Sequence, residues 1–192
     1  MPATTYRTGS GDRRPEERAH SRWWDMVRYR RPMYQVRPAR PVDLAFLPEL
    51  EAASDTLFLS LGIGPLPVPG TVEELIGARQ VLVAGDPPTG FARLDEVVGD
   101  IHLEQLAVHP DHGRQGIGRA LVQAACAWAR DAGYPEITLH TYLDVPWNAP
   151  FYATEGFTVC GSADEWWTSR GLPPESPVMG RFGKRVAMAR PL

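Results

Sequence analysis

The chain has 192 residues, 43% hydrophobic and 22% charged, with a net charge of -3: enough to bury one ordinary core, and not the charge of a wholesale nucleic-acid or membrane binder. The balance is uneven, because residues 1–33 hold eight Arg against four acids and the remainder is left at about -7, a field that weakly favours cationic ligands. Nothing apolar approaches the roughly 20 residues that span a bilayer, the basic start lacks an apolar signal core, and Cys126 and Cys160 lack metal-like spacing, so a reducing cytoplasm is the expected setting.

Residues 1–33 are rich in Arg, Gly and Pro without sustained periodicity. They are expected to form a disordered basic extension, with a short helix near Pro15–Val27. Residues 34–192 then make one domain. Tyr34–Arg37 alternates like a short strand. Asp43 is placed to cap a helix reaching about Ser60, with Leu44, Leu47, Leu50 and Leu57 on one face. Pro48 lies inside that run and is a point for it to split or kink. Pro65, Pro67 and Pro69 mark an irregular loop. Thr71 and Glu74 have capping-box spacing for a short helix at Val72–Ala78.

Val81–Ala84 and Phe91–Asp95 flank a Pro-rich turn and read as a hairpin. Ile101–Val108 is a strand whose alternation fails after Glu104, as in a strand covered on both faces or one carrying a bulge. Arg114–Ala132 is the clearest helix: Ile117, Leu121, Ala124, Trp128 and Ala132 recur at helical spacing, and Gly133 ends it. Ile137–Tyr142 is a strand, Trp147–Glu155 a short helix and Phe157–Cys160 a strand. Gly161–Lys184 reads as a long loop before a last strand at Arg185–Arg190. The expected class is α/β (α+β), a mixed sheet around one strand–helix–strand unit.

The chemistry-bearing stretch is LAVHPDHGRQGIGRAL, residues 106–121. A strand ends at Val108, and Gly113, Gly116 and Gly118 precede the clearest helix. Glycines let backbone N–H groups approach an anion closely, and a helix N-terminus adds unpaired donors and a positive dipole end. Arg114 and Arg119 add charge, and the ensemble suits a pyrophosphate. The G-x-G-x-x-L run lacks the third small residue and the later acid of a dinucleotide fingerprint, and no Lys-Ser or Lys-Thr pair completes a P-loop. A plain strand–helix turn is the bland alternative.

Downstream lies WNAPFYATEGF, residues 147–157. Together with VHPDHGRQGIGRAL it resembles the GNAT superfamily of acyl-CoA N-acyltransferases, over roughly residues 34–160. The resemblance implies a mostly antiparallel sheet of six or seven strands flanked by about four helices, with acetyl-CoA as co-substrate and no metal. It implies that backbone amides along Gly113, Arg114, Gln115, Gly116, Ile117, Gly118 and Arg119 hold the pyrophosphate. It further implies that Leu106, Ala107 and Val108 pair with the pantetheine arm, and that Asn148, Phe151 and Tyr152 face the cofactor. Gly113 stands where the family usually has Gln or Arg.

Acyl transfer needs a neutral amine, donors for the thioester oxyanion and a proton for the thiolate. Glu104 is the candidate base, with a structural carboxylate, paired to Arg93 or Arg114 or exposed, as the alternative. Tyr152 is the candidate acid, with aromatic packing beside Phe151 and Phe157 as the alternative. His102 and His140 are a conceivable acid–base or metal pair, or ordinary hydrogen-bonded histidines, and His109 and His112 are expected to face solvent.

The expected acceptor region includes Glu51, Asp55, Phe58 and Trp147, with Leu59 and the Trp166–Trp167 loop. Glu51 and Asp55, four apart on one helix face, are placed to attract a cation or merely to solvate that face. The expected partner is a small-molecule or peptide amine, with a homodimer possible. A non-catalytic acyl-CoA sensor or partner-binding domain is the alternative.

Overall fold

A seven-stranded sheet in the order β1-β2-β3-β4-β5-β7-β6 organises residues 34–192, which are the residues described by this computed structural model. The expected N-terminal extension and its short helix lie outside the described residues. The strands are β1 Val36–Pro38, β2 Gln80–Ala84, β3 Gly90–Val97, β4 Asp100–Val108, β5 Glu136–Tyr142, β6 Thr158–Ser162 and β7 Arg185–Pro191. All neighbours pair antiparallel except β4 and β5. Residues 34–192 cluster as one compact unit.

Strand β2 shows why the sheet is covered on both sides. Leu82 and Ala84 join the cluster under one face, and Val81 and Val83 join the cluster under the other, the period of two that a strand dictates. The first face is covered by the long helix Ile117–Asp131, here α4. It buries Ile117, Leu121, Val122, Ala125, Cys126 and Ala129 against Ala92, Leu94, Ile101, Leu103 and Ile137. The buried stripe is therefore displaced from the expected one, since Ala124 and Trp128 only flank the core. The helix starts at Ile117 rather than Arg114 because Gly116 is its N-cap in the left-handed region, φ 85°. Gly133, φ 89°, follows its end, as expected.

The second face is covered by Leu47 and Leu50 of one helix and Leu75 of another. The expected single helix is two, α1 Pro41–Leu44 and α2 Leu47–Leu59, with Pro48 in the first turn of α2, where a missing N–H costs nothing. Asp43 is not a cap on the long helix. It sits inside α1, 1% exposed, and its carboxylate takes Arg37 at 2.6 Å and Arg40 at 2.9 Å. Those hydrogen bonds hold its carboxyl far below the usual range and tie β1 to α1. Leu57 is exposed. Helix α3, Val72–Gly77, has the expected box: Thr71 N–H donates to Glu74 at 2.9 Å, and Glu74 N–H donates to Thr71 Oγ1 at 3.2 Å.

The segment expected as a plain loop after β6 contains two more helices, α6 Ala163–Ser169 and α7 Pro177–Gly180; α5 is Ala149–Thr154. Seven helices thus stand among the described residues, not about four, the additions being short turns around the sheet. None is long and apolar enough to cross a membrane.

Candidate active site

Two features of β4 make the site. The first is a bulge. Arg93 of β3 stands opposite Gln105, and the next residue, Leu94, stands opposite Leu103, so Glu104 is the extra residue. The bulge resets the side-chain alternation: Leu103 and Leu106 both meet the α4 face, while Glu104 and Gln105 both line a cleft on the opposite face. The second is a splay. The parallel ladder between β4 and β5 runs only from Ile101/Ile137 to Leu103/Leu139. Beyond it β5 continues with β7 and β4 with β3. The backbone of 104–108 is left with one edge open in mid-sheet, and such groups want partners.

The open edge leads to the glycine loop. Val108 is followed by a turn at Pro110–His112 and then the α4 N-terminus. Arg114, φ 56°, and Gly116 turn the backbone through left-handed conformations. A Cβ at Gly116 would meet nothing within 4 Å, and one at Gly118 would touch Phe151 and Val108 at an ordinary 3.8 Å. The protein's own packing leaves space above both glycines, which suits a ligand lying against the backbone. The free N–H groups of the first turn of α4 point out of its N-terminus. Gln115 accepts a hydrogen bond from the Tyr34 hydroxyl. Arg119 spends its Nε on the buried Glu155, 2.7 Å, so its charge is partly committed within the fold.

Asn148 is the N-cap of α5. Phe151 packs on Tyr152, centroids 5.2 Å apart, and Tyr152 on Phe157 at 5.8 Å. Burial raises the Tyr152 phenol well above its usual value, so it carries its proton at neutral pH.

The cleft on the other face measures about 610 Å³ and brings Glu104 together with Glu51, Asp55, Arg93, His102, His140, Trp167, Glu175 and Arg185. Burial pushes Glu51 up to about 7 and Asp55 up to about 6; the Gly70 N–H, 3.3 Å from Glu51, works against the rise. Glu104 is raised chiefly by burial and next by Asp95, while Arg93 and Arg185 oppose the rise. Of the alternative readings of Glu104, neither the Arg93 nor the Arg114 pairing occurs among the described residues, since Arg93 binds Asp95 at 2.7 Å, and the side chain is 44% exposed. Phe58 and Trp147 lie outside this lining. Their rings stand 5.9 Å apart, and Phe58 packs on Tyr142 instead.

His140, Trp167 and Arg185 line the cleft, and Trp166 packs against His102 and His140. Trp166 stacks under the Arg170 guanidinium at 3.9 Å, and Arg170 is held by Asp100 at 2.6 Å. Sequence reading placed Trp166 in a loop, although Ser162 and Glu165 repeat the capping-box spacing seen at Thr71 and Glu74 and make the same two hydrogen bonds. That signal locates α6 and hence the tryptophans. Among the described residues no cluster of three metal-ligating side chains occurs.

Residues 71–157 match the acetyltransferase (GNAT) family. Over 90 residues the chain is 32% identical to N-acetyltransferase 8 of Rattus norvegicus, covering 47% of this chain and 37% of that protein. Over 130 residues it is 32% identical to the mycothiol acetyltransferase of Parafrankia sp. (strain EAN1pec), covering 64% of this chain and 38% of that one. The chain therefore spans well under half the length of these curated relatives. Its fold is similar to that of the PaiA N-acetyltransferase from Thermoplasma acidophilum in complex with coenzyme A, with a TM-score of 0.60, 18% identity, and coverage of 83% of this chain and 99% of that one.

Proposed function

We propose that this chain, whose residues 71–157 match the acetyltransferase (GNAT) family, is a cytoplasmic N-acetyltransferase that moves an acetyl group from acetyl-CoA to a primary amine of a small molecule or peptide. The observation that carries this reading is the mid-sheet opening along Glu104–Val108, which joins a roomy glycine turn on one side to a carboxylate-lined cleft on the other. Acetyl-CoA, when bound, supplies an activated thioester.

The chain's own residues divide the remaining tasks. Backbone groups of Leu106, Ala107 and Val108 would hold the pantetheine arm, and the 113–119 turn the pyrophosphate. Phe151 borders that turn at Gly118, and Asn148 would join it against the cofactor. An amine of pKa about 10.4 is neutral in only about one molecule in 10³ at pH 7, so a proton acceptor is needed. Glu104 serves as that base, since the bulge aims it into the cleft and burial raises its proton affinity. Tyr152, protonated at neutral pH, is the proton donor for the departing thiolate. Glu51 and Asp55 favour a cationic acceptor because ligand charge relieves their shared desolvation.

The test is purified protein with acetyl-CoA and a panel of amines, read by thiol release and by mass spectrometry of the acceptors. Acetylated amine is expected. Glu104→Gln should lower turnover by about 10²–10⁴ above the Glu104 midpoint and less below it, where the wild-type carboxyl is already protonated, while coenzyme A still binds. Tight coenzyme A binding with no turnover on any amine would replace this reading with an acyl-CoA sensor.

A further inference from the structure

His102 is 2% exposed and shares a strand face with Glu104, two residues away. Its hydrogen bonds favour one tautomer. The Thr138 Oγ1 lies 3.2 Å from the Ile101 carbonyl, which can only accept, so the hydroxyl proton is spent there. The same Oγ1 lies 2.9 Å from His102 Nδ1, and only Nδ1–H donating to Oγ1 keeps the Thr138–Ile101 hydrogen bond as well. In the neutral ring Nε2 is then a bare acceptor, and it faces Glu104 Oε2 at 4.0 Å. The ring is caged by His140 and Trp166, centroids 4.5 and 4.9 Å away, and is not free to turn over.

We propose that His102 is a positioning residue for Glu104: its Nε2 accepts the O–H that the carboxyl carries after taking the amine proton, and thereby makes that carboxyl a stronger base. The proposal rests on the reading of Glu104 as the base. One N–H bond of the amine breaks and one O–H bond forms on Glu104. His102 receives that hydrogen bond without gaining the proton. The gap of 4.0 Å exceeds a hydrogen bond and closes by rotation of the half-exposed glutamate chain.

The ring stays neutral because burial, then His140, Arg170 and Arg185, oppose its charging. The other charged groups around the pair are Glu51 and Asp55 from α2, Glu74 from α3, Arg93 and Asp95 from β3, and Glu175 before α7. None of them approaches Nε2 as a donor among the described hydrogen bonds. An imidazole that presented Nε2–H would do the reverse, stabilising the carboxylate and weakening the base.

The experiment is NMR on the intact chain, with ¹⁵N shifts reading the His102 tautomer and ¹³C carboxyl titration reading Glu104. Wild type should show Nδ1–H with a bare Nε2. Thr138→Val removes the anchor without entering the cleft, and His102→Phe removes the acceptor; each should lower the Glu104 midpoint by about one unit, tenfold in proton affinity. An Nε2–H or doubly protonated ring in wild type would overturn the proposal, as would a Glu104 midpoint unmoved in whichever variant folds. These readouts need no turnover, so their failure is separable from failure of the acetyltransferase reading. With an acceptor in hand, the acidic limb of kcat/KM should move down by the same step in Thr138→Val, a change that loss of stability alone does not produce.

Discussion

Tyr152 presents a hydroxyl among aromatic rings, and its two roles, packing and proton donation, separate in one substitution. Tyr152→Phe keeps the contacts with Phe151 and Phe157. It should fold normally and bind coenzyme A as before, yet turn over about 10²-fold more slowly; equal rates in steady-state assays would leave only packing. Glu51 makes a different residue-scale statement. Its carboxyl rises from 4.5 to about 7 in the fold, chiefly through burial, so the native state binds the proton more tightly than the unfolded chain. The linked stability is present below the unfolded pKa and is lost as pH rises through about 7. Glu51→Gln should therefore melt higher than wild type at pH 8 and nearly level with it at pH 4, as scanning fluorimetry can check. A bound cation would erase the difference at pH 8.

Turns and caps set the behaviour of the elements. The β3–β4 connection is a two-residue hairpin loop, Val98 and Gly99, with φ of 52° and 87°, the two positive values of a type I′ turn. Gly99 suits it. Val98 is β-branched and exposed, so it adopts a costly conformation without a packing return. Val98→Asn should stabilise the protein by about 1 kcal/mol, visible as a higher denaturant midpoint at unchanged slope. Where structure follows from near neighbours, the sequence spoke clearly: the existence of α4, the Thr71–Glu74 box, the glycine stops and the broken alternation at Glu104 all reappear in the fold, while the α4 core stripe is shifted. Asp43 misled because a carboxylate suits both an N-cap and the interior of a helix's first turn, and the choice depended on Arg37 from another element. The Ser162–Glu165 box is masked in the sequence by Pro173, Pro174, Pro177 and the nearby glycines, which make the whole segment read as irregular. The Thr138 contact that orients His102 was out of reach altogether. It arises from the register of β4 beside β5, a meeting of residues 36 positions apart in sequence.

At the scale of the molecule the sheet is two antiparallel halves, β1–β4 and β5–β7, joined by a parallel ladder of three residue pairs. Helix α4 connects the halves in sequence, and Ile117, Leu121 and Ala125 share one core cluster with Ile101 of β4 and Ile137 of β5. The opening that the proposed function uses is therefore also a thinly hydrogen-bonded line in the sheet, three residue pairs beside the seven of β5–β7. A ligand that pairs with the free edge of β4 adds backbone bonds there and stabilises both halves together. Coenzyme A at 100 times its Kd should raise stability by about 2.7 kcal/mol. Hydrogen exchange should slow at those amides of Glu104–Val108 that point away from β3, and much less at amides already paired within the β3–β4 ladder. Gly116→Val tests the route. It forces a β-branched residue into a φ of 85° and fills the space above the turn, so both the thermal shift and the new protection should largely vanish. If the variant still shows the full shift and the same protected amides, coenzyme A does not lie along this opening, and the splay between β4 and β5 has some other purpose.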